Sequence, residues 1–217
     1  MDIFKVEGLV LNKKDINDSD IYVTLFTQKY GKITAVAYGI RKSKKRSIIS
    51  LSPLSLSEMT ISKKGEYYNI IEMDLIKNYK NIIKDIEKLE ISLYILSSVD
   101  KIFEIDFQEN KFYDKLIEIL DYIENIDKLK IGYKYFIIIA FLRRIMFYEG
   151  IYDLEEIQKK LGENLYQKLK KILSLKNIDD FDSYINELKK IVIAFEKYIN
   201  EYLQARLDMS KFIMEEF

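Results

Sequence analysis

No cysteine, histidine or tryptophan occurs among the 217 residues of this chain. The first absence rules out disulfides, thiolate metal sites and cysteine nucleophiles. The second removes imidazole bases, Ser-His-Asp machinery and His-ligated zinc. Any enzyme built on this sequence would be confined to carboxylates, lysine, tyrosine or a carboxylate-held metal. Proline occurs once, at Pro53. No apolar run is long: the most hydrophobic stretch, Tyr135 to Leu142, stops at Arg143-Arg144, far short of the ~20 residues of a membrane helix. It reads as a buried core helix, so no membrane contact is expected. The start, Met1-Asp2-Ile3-Phe4-Lys5, has neither a charged-then-apolar leader nor a small-residue cleavage site, which gives a cytoplasmic expectation. Walker, G-x-G-x-x-G and H-E-x-x-H patterns are missing too. Neither a cofactor nor catalysis is expected.

What is present is ordinary in bulk and uneven in distribution. Hydrophobic residues make up 48% and charged residues 32%, with 35 Lys+Arg against 35 Asp+Glu. A neutral molecule binds a polyanion only if its charge is segregated. It is segregated: residues 1 to 80 hold 14 cations against 9 anions, a net of +5, and the remainder carries −5.

Up to about residue 76 the apolar residues follow a period of two, as half-buried strands do. Ile21, Val23 and Leu25 alternate with Tyr22, Thr24 and Phe26, and Tyr30-Gly31-Lys32 supplies a turn. After a basic segment the alternation resumes at Leu54 and Leu56 and changes phase at Met59 and Ile61, which predicts a β-bulge between Leu56 and Met59. Lys63-Lys64-Gly65-Glu66 forms a second turn, followed by a strand from Tyr67 to Leu75. Five strands with a bend predict a small closed barrel of the oligonucleotide-binding (OB) type. Near residue 80 the period becomes helical, with Ile82, Ile86, Leu89, Leu93, Leu96 and Val99 on one stripe. Further helices are predicted at 109–124, 130–149, 153–174 with a break near Gly162, and 180–204 with Asp179 or Asp180 as N-cap. The expected fold class is therefore α+β, an OB-type barrel over residues 1–78 followed by a helical bundle over 79–217.

The strongest local feature is Arg41-Lys42-Ser43-Lys44-Lys45-Arg46, five cations in six residues between two strands. Such a loop cannot pack inside, and a polyanion relieves its self-repulsion with release of counterions. A merely solvated hairpin loop is the bland alternative. Lys13, Lys14, Lys29, Lys32, Lys63 and Lys64 fall at strand ends or turns nearby, and Lys13, Lys14 and Lys32 join the loop as candidate nucleic-acid contacts. Tyr22, Phe26, Tyr38, Tyr67 and Tyr68 are candidates for stacking on bases, although period-two aromatics are more often core. In the helical half, Arg143 and Arg144 are candidates for an acidic partner, with pairing to nearby acids as the default. Asp179, Asp180 and Asp182 are better explained by a helix N-terminus than by a metal.

These segments also carry a family resemblance. Glu7-Gly8-Leu9-Val10-Leu11, then Ser19-Asp20-Ile21-Tyr22-Val23-Thr24-Leu25-Phe26-Thr27, then Tyr30-Gly31-Lys32 running through Tyr38-Gly39-Ile40 into Arg41-Lys42-Ser43-Lys44 resemble the N-terminal signature of the bacterial RecO recombination mediators. Gly65-Glu66-Tyr67-Tyr68 with the following helix from Tyr79 to Ile105, and Leu207 to Ile213, fit the family more loosely. The resemblance implies a DNA-repair protein that binds single- and double-stranded DNA, anneals strands, contacts the acidic tail of the single-strand-binding protein (SSB), and works with RecR to load the recombinase. It assigns DNA contact to Arg41, Lys42, Lys44, Lys45 and Arg46, and tail contact, more weakly, to Arg143 and Arg144. Many members carry a four-cysteine zinc module after the central apolar helix. Here Phe147 to Leu161 stands in its place without a cysteine, so zinc is not expected. The sequence thus reads as a non-enzymatic DNA-binding mediator. The alternatives are a protein-binding adaptor on the same scaffold and a carboxylate-dependent nuclease, the latter lacking an acidic cluster near the basic loop.

Overall fold

The computed structural model describes residues 2–43, 46–64, 67–105 and 110–213. The chain divides into two compact units, Met1–Asn81 with Leu96–Glu124, and Ile82–Ile95 with Asn125–Phe217.

The first unit is built on five strands: β1 (Asp2–Asp15), β2 (Ile21–Thr27), β3 (Gly31–Ala37), β4 (Ser55–Lys64) and β5 (Tyr67–Asn78). Their order is β1-β2-β3-β5-β4, and β4 in turn pairs with β1. The period-two residues Val6, Val10, Val23, Leu25, Ile33, Ala35, Met59 and Ile61 meet in one buried cluster, as the pleat requires. These pairings bring the five strands back on themselves, and the evenly paired barrel expected from the sequence is corrected at one seam. The five strands form a mixed sheet in which β3 and β5 run parallel and meet through two residue pairs, Ala35↔Tyr68 and Val36↔Asn69, rather than along a continuous ladder. The reason lies in β5. Its register against β4 slips twice, with Ile71 and Ile76 as extra residues, and bulges bend a strand out of line.

The expected bulge on β4 is relocated for the same reason: the extra residue opposite the Leu56/Ser57 step belongs to β5. The change of phase along β4 has a second cause. Leu56 faces away from the core cluster, opposite Leu9, which lies opposite Phe26, and all three are buried. Two helical pieces cover that face, the end of α2 (Ile86–Ile102) and α3 (Asn110–Asn125). The Phe26 ring lies 5.4 Å from Phe103, 6.1 Å from Phe112 and 6.0 Å from Tyr113. Tyr113 donates a hydrogen bond to Glu7 at 3.2 Å. Burial, then the Glu7 charge, pushes its hydroxyl well above the ordinary tyrosine range. A side chain at Gly8 would press on Thr27 Cγ2 at 3.1 Å, which accounts for the Glu7-Gly8-Leu9 triplet as a close crossing of strands under a helix.

Helices make up the second unit. The stripe read as one helix from Tyr79 is broken into α1 (Lys80–Lys84) and α2, and Asp85 caps the start of α2 by accepting from Lys88 N at 3.2 Å. α4 (Ile131–Tyr148), α5 (Leu154–Leu173) and α6 (Ile185–Leu203) follow, with α6 packed on both α4 and α5. Asp153 caps α5 through the amides of Glu155 and Glu156, satisfying donors that the first turn leaves unpaired. Gly162 interrupts α5 at φ 70°, where the sequence predicted a break. The last helix begins later than expected because residues 178–184 form a 3-10 turn capped by Asn177. The acids there are used structurally: Asp179 pairs with Lys130 at 2.5 Å and Asp182 accepts from Gly132 N at 2.8 Å. Lys134 is wholly buried, paired with Glu87 and, at 3.2 Å, with Glu90. No helix among the described residues is long and apolar enough to cross a membrane.

Among the glycines described in this unit the closest backbone approach is at Gly132, where an added Cβ would lie 2.4 Å from the carbonyl of Phe181. Backbone cannot swing aside as a side-chain tip can, so Gly132→Ala is expected to cost about 2 kcal/mol or more. Urea denaturation checks this. A midpoint equal to that of the parent would show that the 178–184 turn does not depend on this contact.

Candidate nucleic-acid interface

The basic segment leaves the end of β3 through a turn that is held from below. Asn17 Oδ1 accepts from the amides of Ser19 and Asp20 at 2.8 and 2.9 Å, and Asn17 Nδ2 donates to Asp20 Oδ2 at 2.8 Å. This Asx turn fixes the Asp20 carboxylate against the end of β3, where Oδ1 accepts from Gly39 N at 2.7 Å. Gly39 sits at φ 61°, a conformation that glycine adopts without steric cost. Arg41 N then donates to Ser19 O at 3.1 Å. A 3-10 turn, Ile40–Lys42, follows, with Ile40 in the strand core and Arg41 and Lys42 exposed. The Gly39 amide foremost, then Asn17 and Ser19, hold the Asp20 carboxyl below the usual carboxylate range. The Ser19-Asp20 and Tyr38-Gly39 pairs are therefore one device, two strand ends joined by a carboxylate.

Strand register gathers further groups at this end. Lys14 lies opposite Tyr22, and Tyr22 opposite Val36, across three strands. Lys14 is exposed, and Lys13 is half-buried and donates to Ser52 Oγ at 3.2 Å. Arg41 is engaged locally, with Asp15 at 3.1 Å and the Asn17 carbonyl at 3.2 Å. An exposed pair of this kind contributes little, so phosphate can displace the acid. Arg46 donates to the Tyr38 carbonyl at 2.6 Å, and its own amide donates to Ser43 Oγ at 3.1 Å. Lys44 and Lys45 lie outside the described residues.

Not every predicted contact joins them. Lys32 is at the other end of the β2–β3 hairpin, buried, and donates to the Asp100 carbonyl at 2.5 Å with the Asp100 carboxylate at 3.7 Å. Burial lowers its pKa and Asp100 opposes that fall, so it acts as an anchor inside the first unit. Lys29 is in the turn before β3, and Lys63 at the far end of β1 donates to Tyr68 Oη at 2.9 Å. Among the aromatics, Phe26 and Tyr68 are core, whereas Tyr22 and Tyr38 are exposed, at 38% and 58%. In the second unit Arg143 is half-buried and donates to Tyr152 Oη at 3.0 Å, beneath a stack of Phe147 on Tyr152 with ring centroids 3.9 Å apart. Arg144 is half-buried on the same helix. Sequence reasoning took the loop cations for the site and missed the residues that aim them, Asn17, Ser19 and Asp20; an Asn-Asp-Ser-Asp run before a strand was the signal.

Comparison with known proteins falls on the same stretch. A family described as recombination protein O N terminal matches residues 1–79. The DNA repair protein RecO of Thermoanaerobacter sp. (strain X514) is 36% identical over 113 residues, 52% of this chain and 46% of the relative. That of Caldanaerobacter subterraneus subsp. tengcongensis is 35% identical over 113 residues, with the same coverage. The RecO of Clostridium perfringens is 27% identical over 150 residues, 69% of this chain and 59% of the relative. The matched region thus spans about half the length of the curated relatives.

If Asp20 aims the basic turn, Asp20→Ala should free the Gly39 and Arg41 amides to exchange with solvent, as amide hydrogen exchange would record. Unchanged protection would show that the turn stands without it. Because the folded carboxyl titrates below its unfolded value, its contribution is present above about pH 4 and is lost as pH falls through the folded pKa. The stability gap between the parent and Asp20→Asn should therefore narrow on acidification below that point.

Proposed function

The chain belongs to the RecO family, and on that footing we propose that it is a recombination mediator in DNA repair, a binding protein rather than an enzyme. In this reading the cationic end of the first unit binds single- and double-stranded DNA and brings complementary strands together. With RecR, it loads the recombinase onto SSB-covered strands. The observation that carries the reading is a coincidence of place. The residues that match the family are those with the excess of positive charge, and strand pairing draws Lys13, Lys14, Arg41, Lys42 and Arg46 to one end of them.

Recognition would be of the backbone. Lysine and arginine neutralise phosphates and release counterions without reading sequence, and the exposed rings of Tyr22 and Tyr38 offer faces on which unpaired bases stack. Lys44 and Lys45 would extend the same surface. Arg143 and Arg144 are proposed to meet the acidic SSB tail, and a family zinc module is not part of this reading, since the chain has no cysteine or histidine to hold it.

Lys14 and Lys42 are exposed, and Lys42 acts on the turn through its charge at Asp20, behind the hydrogen bonds from Gly39, Asn17 and Ser19, so exchange of the Gly39 amide checks that the reversed variant keeps the turn. The pair Lys14→Glu/Lys42→Glu should weaken binding of a fluorescent single strand roughly tenfold at moderate salt. The salt dependence of log K should flatten by about 1.4, ~0.7 for each lost contact. Anisotropy titrations at several salt concentrations read both. An unchanged affinity and slope would sink the assignment of this end to DNA.

A further inference from the structure

The double slip of β5 leaves a consequence on the opposite side of that strand. Its pairing with β3 ends at Asn69, and from Ile70 to Asn78 its backbone is hydrogen-bonded to β4 alone among the described residues. An unpaired strand edge is a template for another strand. Proteins blunt such edges with bulges, charged side chains, proline or a covering element, and β5 has the first two. Here both bulges carry aliphatic residues, Ile71 and Ile76, exposed at 39% and 51%, and Leu75 beside the second is exposed at 41%. Four regular residues, Glu72 to Leu75, lie between the bulges, opposite Thr60 to Ser57 of β4. Glu72 and Asp74 are exposed, and with Glu58 on β4 they surround Lys5, three acids to one cation among the described residues. The edge therefore combines free backbone groups, aliphatic side chains and an excess of negative charge.

We propose that this β5 edge takes up an added strand from a partner segment that is extended, aliphatic and basic. Charge decides against a second copy of the same strand. Antiparallel self-pairing centred on Met73 would set Glu72 opposite Asp74 twice, and like charges directly opposite one another destabilise a pair. A segment alternating aliphatic residues with lysine sets cations against Glu72 and Asp74, while main-chain hydrogen bonds supply affinity in the manner of strand addition. A partner of this charge is drawn to the acids of β5 and repelled by the basic turn, which the parallel β3–β5 register places beside the start of the edge.

The probe is a ten-residue peptide of alternating valine and lysine, compared with a valine–glutamate peptide and with a valine–lysine peptide N-methylated at alternate residues. Added to the full chain, the first peptide should slow exchange of amides within Ile70–Ile76 at least tenfold, and the other two should not. Glu72→Lys/Asp74→Lys should exchange the preference for the valine–lysine peptide for one towards valine–glutamate. Equal binding of the N-methylated peptide, protection confined to other segments, or concentration-dependent protection of these amides without peptide would each overturn the proposal, the last by showing a second copy there.

Discussion

A single carboxylate organises the surface on which the functional reading rests. Asp20 accepts the Gly39 amide and is itself oriented by Asn17, so the entry to β2 and the exit from β3 are tied within one hydrogen bond of each other. The basic turn at this end depends on that tie. Arg41 leaves the strand pointing back over Asp15 and Asn17, Ile40 is drawn into the core beneath it, and Arg46 returns to the carbonyl of Tyr38. A glycine in the left-handed region is what lets the chain turn there. A basic run on an untethered loop would pay more conformational entropy on meeting a phosphate.

Much of this was legible in the sequence, and the exceptions share a cause. Period two located the strands and period 3.6 the helices, and the glycine at 162 announced the break in α5, because these patterns report local geometry. What failed depended on partners distant in the chain. Leu56 looked out of phase because its face is buried under helices far away in sequence, so a bulge was inferred on β4 when the extra residues belong to β5. Lys32 read as a surface cation because it follows a turn, but Asp100 lies 68 residues downstream. Phe26 and Tyr68 read as stacking candidates for the same reason. The candidate site divides likewise: its cations were visible as composition, its geometry only once strand register was known.

The strand unit solves opposite problems with the same materials. At one end, register places Lys14 beside Tyr22 and holds the basic turn over them; along β5, slipped register exposes backbone, isoleucine and acid together. Net charge near zero for the whole chain conceals both, since separated poles cancel in the sum while each retains its own local field. The second unit contributes through burial of ions rather than display of them. Its Lys134 sits between Glu87 and Glu90 inside the helices, a cluster that stabilises only as a set and costs several kcal/mol if one member is lost.

The turn around Asp20 also determines what kind of signal the cationic end can hear. Its carboxyl is held below the usual range by neighbouring donors, and the chain contains no histidine, the side chain whose charge ordinarily changes between pH 5 and 8. A histidine switch is thus not available to this surface, and a polyanion held there as proposed would be released by ions, by competing partners or by covalent change to the lysines.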